Sequence, residues 1–300
     1  MLARLCCPAL SPSTHRHQKT PVTIMAKDKS KKKQKITYTA KTADRYELYQ
    51  LSVQSVEPDV KFLRRVYKKE FGQPARHMRE DFCGTGLMTA YWIKRGPEFT
   101  AEGFDIDPEP LAWGKARHFA KLGDAAERAI MHQADVREAS VKSPDVRCAQ
   151  NFSYCVFKSR DEMLHYFKSV HADLANKGVF VMDIYGGPEA FQELEEETDI
   201  DEGFTYVWDQ DDFSPVTHDA RMYIHFRFED GTEMSKAFTY EWRVWTIPEL
   251  SELLNSAGFS RVDIYWEGTD EDGESGNGIY RKTKYGEPDI SFVSYIVAIK

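Results

Sequence analysis

The stretch Glu80-Asp81-Phe82-Cys83-Gly84-Thr85-Gly86, with Gly103-Phe104-Asp105-Ile106-Asp107 after it, constrains the fold of this 300-residue chain more than any other segment. The first string reads as a turn between a strand and a helix. Gly84 and Gly86 carry no Cβ, so a ligand can approach their backbone and the turn can adopt φ > 0 without strain. A helix over 87–94 would point its N-terminal amides at whatever sits on that turn. About twenty residues later, Asp105 ends a second apolar strand, where a carboxylate can accept both hydroxyls of a ribose. The spacing suits a nucleoside-bearing cofactor.

The pattern from 76 onward supports a parallel sheet. Strand-like runs at 76–82, 100–105, 129–133, 147–152 and 179–184 alternate with helical runs at 87–94, 110–121 and 161–176,. In such sheets the ligand crevice lies at the carboxyl ends of the strands. Glu80 and Asp81, Asp105 and Asp135 all fall at such ends, each about 20–30 residues after the last, which chance placement of acids at strand boundaries rarely produces. Asn176-Lys177-Gly178 reads as a helix stop with a left-handed glycine.

Two nucleoside folds share this geometry. The dinucleotide fingerprint needs a third small residue, and Thr89 stands there, which weakens that reading,. Glu80 to Gly86 instead resembles the first motif of the class I S-adenosylmethionine-dependent methyltransferases, approximately E/D-x-G-x-G-x-G, with Phe82 in place of the first Gly. The resemblance covers 78–185 by motif and 246–300 by topology. It implies a Rossmann-like α/β fold: a seven-stranded, mostly parallel sheet with a terminal antiparallel hairpin. It also implies S-adenosyl-L-methionine as cofactor, held by Tyr46, Glu80, Asp81, Cys83, Gly84, Thr85, Gly86, Asp105, Ile106, Asp135, Val136, Asn151 and Phe152. In it, Asp135 accepts from the adenine amino group and residues 150–154 lie beside the methionine and the acceptor.

The remainder divides by composition. Residues 1–35 form a disordered tail or an extension upstream of a start at Met25, the alternative being an organelle-targeting segment. The lysine-rich run 27–35 is read as a solvated tail. Residues 36–75 form a helical cover, with helices at 43–52 and 58–71 and Asp59 near the second cap. Residues 76–187 form the cofactor-binding core. The acidic run 193–202 is read as a solvated helix face. Alternation over 221–229 and 232–245 around Asp230-Gly231 is a strong hairpin signal, and with 204–208 it makes an antiparallel insert at 188–245 after the fifth strand. A capping box at Thr246–Glu249 opens the last helix, strands at 259–266 and 290–299 complete the core over 246–300, and 268–288 is expected to be a loop acting as a second flap.

An insert leaving the sheet at that edge can roof an acceptor pocket. Trp208, Tyr240, Trp242 and Arg243 are the candidate substrate-binding residues, with Arg243 or Arg221 able to grip a carboxylate. Tyr154, Tyr185 and His225 are the candidate catalytic residues should the acceptor be a hydroxyl. An amine acceptor attacks when neutral and needs no obligatory base. The histidines show no metal-ligand spacing, so no metal is expected. The formal charge of −8 argues against a nucleic-acid partner,. The scattered cysteines fit a reducing cytoplasm, and no apolar run has the length of a membrane span. The expected function is methyl transfer to N or O of a small-molecule acceptor. A nicotinamide-dependent oxidoreductase and a non-catalytic cofactor-binding scaffold are the alternatives.

Overall fold

The computed structural model describes residues 38–269 and 276–300, so the expectations for the tail, the Met25 start, the targeting segment and the run 27–35 lie outside the described residues. Two helices come first, α1 (Arg45–Ser52) and α2 (Val56–Phe71). Asp44 caps α1 by accepting from the amides of Tyr46 and Glu47,. Asp59 is not a cap. Ser55 holds that position in α2, and the Asp59 carboxylate accepts from the Tyr295 hydroxyl at 2.7 Å.

Strands and helices then alternate: β1 (His77–Asp81), α3 (Leu87–Ile93), β2 (Thr100–Asp105), α4 (Pro108–Arg117), β3 (Ala129–Gln133), β4 (Val146–Ala149), α5 (Arg160–Asp173) and β5 (Val179–Gly186). These strands pair in parallel, β1 between β2 and β4, β3 outside β2, and β5 outside β4. The insert follows as β6 (Leu194–Ile200), β7 (Phe204–Phe213), β8 (Asp219–Phe228) and β9 (Glu233–Arg243), an antiparallel sheet of its own. After α6 (Ile247–Ser256), opened by the Thr246–Glu249 capping box, come β10 (Arg261–Thr269), β11 (Gly276–Thr283) and β12 (Phe292–Ile299). The large sheet runs β11-β10-β12-β5-β4-β1-β2-β3, with β12 antiparallel to both β5 and β10.

Three expectations are corrected here. The acidic run is strand β6, whose Glu195, Glu197 and Asp199 are exposed while Glu196 and Thr198 turn inward. A period of two, not a helical face, explains that string. Residues 276–283 are not flap but an eighth strand paired on β10. The stop after α5 does not use a left-handed glycine: the helix ends at Asp173, and a Cβ on Gly178 would lie 2.8 Å from the Ala175 carbonyl oxygen, so close packing selects glycine there.

The polar sequence of β1 follows from its central place, buried on both faces. Met78 packs in the cluster with α2 and α3, and Glu80 on the same face accepts from the Thr89 amide and hydroxyl at 2.9 and 2.6 Å. On the other face Asp81 receives Arg79 Nε and Arg147 Nε at 2.7 Å each, and the Tyr166 hydroxyl at 2.7 Å. Asp173 completes this buried set against both arginines. Opposite charges balance, which is the condition for burying any of them.

Candidate active site

The glycine turn is bent as its sequence requires. Gly84 and Gly86 have φ of 53° and 66°, and Phe82 is also left-handed at 55°. The Gly86 amide donates to Cys83 O at 2.8 Å, closing the turn onto α3. From above, α1 covers the turn: Gln50 Nε2 donates to Thr85 Oγ1 at 2.8 Å and meets His118 Nε2 at 2.9 Å. Burial and nearby cations push His118 down to about 4, so its neutral ring can accept that bond,. From below, α4 approaches so closely that a Cβ on Gly114 would lie 1.9 Å from Thr85 O.

The rim is set by the next strand ends. Asp105 Oδ2 accepts from the Gly84 amide at 2.7 Å and Oδ1 from the Asp107 amide at 2.9 Å, tying the end of β2 to the turn. Burial raises the Asp105 carboxyl against these bonds. Ile106 beside it is 71% exposed. At the end of β3, Arg137 clasps Asp135 through Nε and Nη2 and holds its carboxyl below the usual range, while the Val136 side chain is buried.

At the end of β4, Asn151 and Phe152 both have φ of 57°. Such angles cost non-glycine residues energy and persist where surroundings hold them. Here the hold is Asp183 of β5, which accepts the Asn151 amide at 2.7 Å and the Phe152 amide at 3.0 Å. Burial pushes Asp183 up to about 7 despite those bonds.

Beyond Asn151 and Phe152 opens a cavity of about 200 Å³ between α1, the core and the inner face of the insert. Tyr49, Tyr206, Trp208, Tyr240 and Trp242 supply its aromatic walls, and Tyr185 and Glu196 also face it. The rings of Tyr240 and Trp242 lie 4.4 Å apart, and Trp208 stands 5.9 and 6.0 Å from them. Burial, then the charge of Glu196, pushes the Tyr185 hydroxyl up to about 12.

No family model matches the sequence. The chain is 24% identical over 202 residues to YqeM of Bacillus subtilis (strain 168), which bears the name of a methyltransferase; the match spans 63% of this chain and 75% of that one. Among solved structures, an S-adenosylmethionine-dependent methyltransferase of Clostridium acetobutylicum superposes with a TM-score of 0.61 at 16% identity, over 84% of this chain and 96% of that one. CalS10 of Micromonospora echinaspora, an amino pentose methyltransferase solved with S-adenosylmethionine bound, gives 0.61 at 19% over 86% and 97%. The sugar N-methyltransferase KedS8 of Streptoalloteichus gives 0.56 at 18% over 93% and 99%. The chain has the class I S-adenosylmethionine-dependent methyltransferase fold.

The methyltransferase fold gives the expected residues different standing in space. Gly84, Asp105 and Ile106 share one rim, and Gly84 faces open space in which an added Cβ would meet nothing within 4 Å, whereas Gly86 faces the Met131 and Phe119 side chains and Thr85 is buried under Gln50. That opening, the rim carboxylate tied to it, and a buried Gln150 Nε2 without a partner at the end of β4 fit a nucleoside-bearing amino acid. Phe82 does not block the turn, because its ring packs 6.0 Å from Phe157 and from Tyr166 on the α5 side.

Other expected residues are corrected. The Asp81 carboxylate is consumed by the arginine network, and Glu80 is consumed by Thr89, so neither side chain reaches the rim. Cys83 stays inside the turn, its amide donating to Phe104 O, its carbonyl accepting from Gly86, and its thiol buried and pushed well up by that burial. Tyr46 packs between Trp113 and Phe238, and Tyr49, one turn on, is the tyrosine of α1 that lines the cavity. Tyr154 is buried and donates to Asp183 O at 2.8 Å. His225 lies on the outer face of the insert between Asp209 and Glu233, because β8 alternates and its neighbour Ile224 faces the cavity. Arg243 turns to Glu249 and the Trp245 ring, and Arg221 pairs with Asp211, so neither arginine enters the cavity. Trp208, Tyr240, Trp242 and Tyr185 do line it.

Glu196 and Asp183 escaped the sequence reading. The signal for Asp183 was an acid inside an apolar strand. For Glu196 it was the middle place in Glu195-Glu196-Glu197, legible once that string is treated as a strand.

Proposed function

We propose that the chain is an S-adenosylmethionine-dependent methyltransferase acting on an N or O atom of a small-molecule acceptor. One observation carries this: Asn151 and Phe152, which line the aromatic cavity, follow β4, the strand paired with the β1 that leads into the glycine turn. When bound, S-adenosyl-L-methionine supplies a sulfonium methyl that an acceptor lone pair displaces in line. In this reading Asp105 holds the ribose hydroxyls, Ile106 flanks the adenine, Asp135 takes its amino group, and Asn151 and Phe152 border the methionine, while Val136 packs in the core beneath them. Asp183 fixes those two residues, and α1 excludes water from above through Gln50.

The chain's main work is alignment, which can lower a barrier by roughly 7–11 kcal/mol. Of the three candidate catalytic side chains Tyr185 is the one that borders the cavity, whereas Tyr154 and His225 have no route to an acceptor there. A cavity of about 200 Å³ suits a small molecule better than a nucleic acid,. Cys83, Cys148 and Cys155 are unpaired, in keeping with the cytoplasm,. Among the described residues no helix is long and apolar enough to cross a membrane. The oxidoreductase alternative loses support from β12, an antiparallel strand between β5 and β10.

Asp105→Ala is expected to abolish cofactor binding. Titration calorimetry with S-adenosylhomocysteine decides it, and an affinity equal to that of the unaltered protein would remove the ribose assignment.

A further inference from the structure

We infer that the cavity is an ammonium site and that the acceptor is a small amine, bound by Glu196 against the faces of Tyr206, Trp208, Tyr240 and Trp242; the bound ammonium passes one proton to the Glu196 carboxylate, which frees the nitrogen lone pair that methyl transfer requires,. This rests on the methyltransferase reading of the same cavity. Glu196 is the one acidic side chain among those lining it, and no Lys, Arg or His lines it. Its sequence neighbours Glu195 and Glu197 both pair with Arg227 on the outer face of the insert. The Glu196 side chain, on the opposite face of β6, enters no hydrogen bond or ion pair among the described residues, and its Cα stands opposite that of Trp208 on β7. The tyrosines do not compete as anions: burial raises the hydroxyls of Tyr49, Tyr206 and Tyr240, so they stay neutral.

A half-buried carboxylate without a partner is unfavourable, and a cation is the ligand that relieves it. The ring faces add attraction for the same charge. An anionic acceptor would meet repulsion from Glu196 and find no cation in return. A neutral acceptor would gain the apolar walls yet leave the carboxylate unpaired.

The test is calorimetric titration of the protein, with and without saturating S-adenosylhomocysteine. The probes are butylammonium, cyclohexylammonium and glucosamine, each against its hydroxyl counterpart. At least one amine is expected to bind roughly tenfold more tightly than its alcohol, and Glu196→Gln to erase that preference. The same variant should melt no lower than the unaltered protein and should keep its affinity for S-adenosylhomocysteine. Equal binding of amines and alcohols, an unchanged preference in Glu196→Gln, or no amine bound at millimolar concentration would overturn the inference. Failure of the unaltered protein to bind S-adenosylhomocysteine would instead remove the methyltransferase reading, and the titration without it would still decide the ammonium site.

Discussion

Three residues without glycine's freedom, Phe82, Asn151 and Phe152, adopt left-handed backbone beside the proposed site. Each is held by something identifiable: the ring of Phe82 by the α5-side core, and the other two by Asp183. Phe82 replaces a motif glycine because only the backbone angle is demanded there, and the side chain has somewhere else to go. Glu80 shows the opposite case, a motif acid turned inward. Burial pushes it up to about 7 although Thr89 donates to it twice. A carboxyl raised on folding binds more protons folded than unfolded, so its contribution to stability is present below about pH 4.5 and is lost as pH rises towards 7. Glu80→Gln keeps an acceptor for Thr89 and removes that loss. The variant's stability relative to the unaltered protein should therefore climb by about 3 kcal/mol across this window. Urea denaturation at several pH values measures it, and a flat difference would show that Glu80 stays ionised at no cost.

At the scale of elements, β1 is the least expected strand. A sequence reading sees polar residues interrupting an apolar run, whereas the fold needs them on a strand flanked by β2 and β4. Phe104 lies 3.6 Å beneath the Arg79 guanidinium, and Glu102 takes His77, His132 and two backbone amides. Burial works against the Glu102 carboxyl, yet those bonds together hold it down to about 2. Asp81→Ala would leave two buried arginines short of a counter-charge, and a loss of about 3–5 kcal/mol is expected from equilibrium unfolding. A loss under about 1 kcal/mol would mean that Asp173 alone balances both. β6 teaches a related lesson. Its acids look like a charged surface until strand alternation separates Glu196 from its neighbours.

In the whole molecule, the insert is not an appendage. Met222 and Trp242 of the insert share one buried cluster with Ala149, Tyr166 and Phe167 of the core, and Leu48 of α1 packs with Phe204, Ile224 and Phe226. Cover, core and insert are thus expected to unfold together. Scanning calorimetry should give one transition, and S-adenosylhomocysteine at a hundredfold excess over its Kd should stabilise it by about 2.7 kcal/mol. Two resolved transitions, with the ligand moving only one, would show that the insert folds apart from the core. Joint packing also explains how the aromatic cavity is shaped: its walls come from α1, β5, β6, β7, β8 and β9 at once.

The sequence by itself determined the parallel core, the glycine turn, the strand-end acids Asp105 and Asp135, the Asp230-Gly231 hairpin and the aromatic composition of the insert. Each is a local matter of periodicity or backbone conformation, and neighbours in sequence carry that information. Tertiary structure alone decided which acids stay at the open strand ends and which neutralise buried arginines. It also decided that Tyr49 and not Tyr46 reaches the cavity, and that Glu196 stands there alone while His225 and Arg243 do not. The physical reason is that side-chain direction depends on strand register and on what packs opposite, and both are fixed by residues far away along the chain.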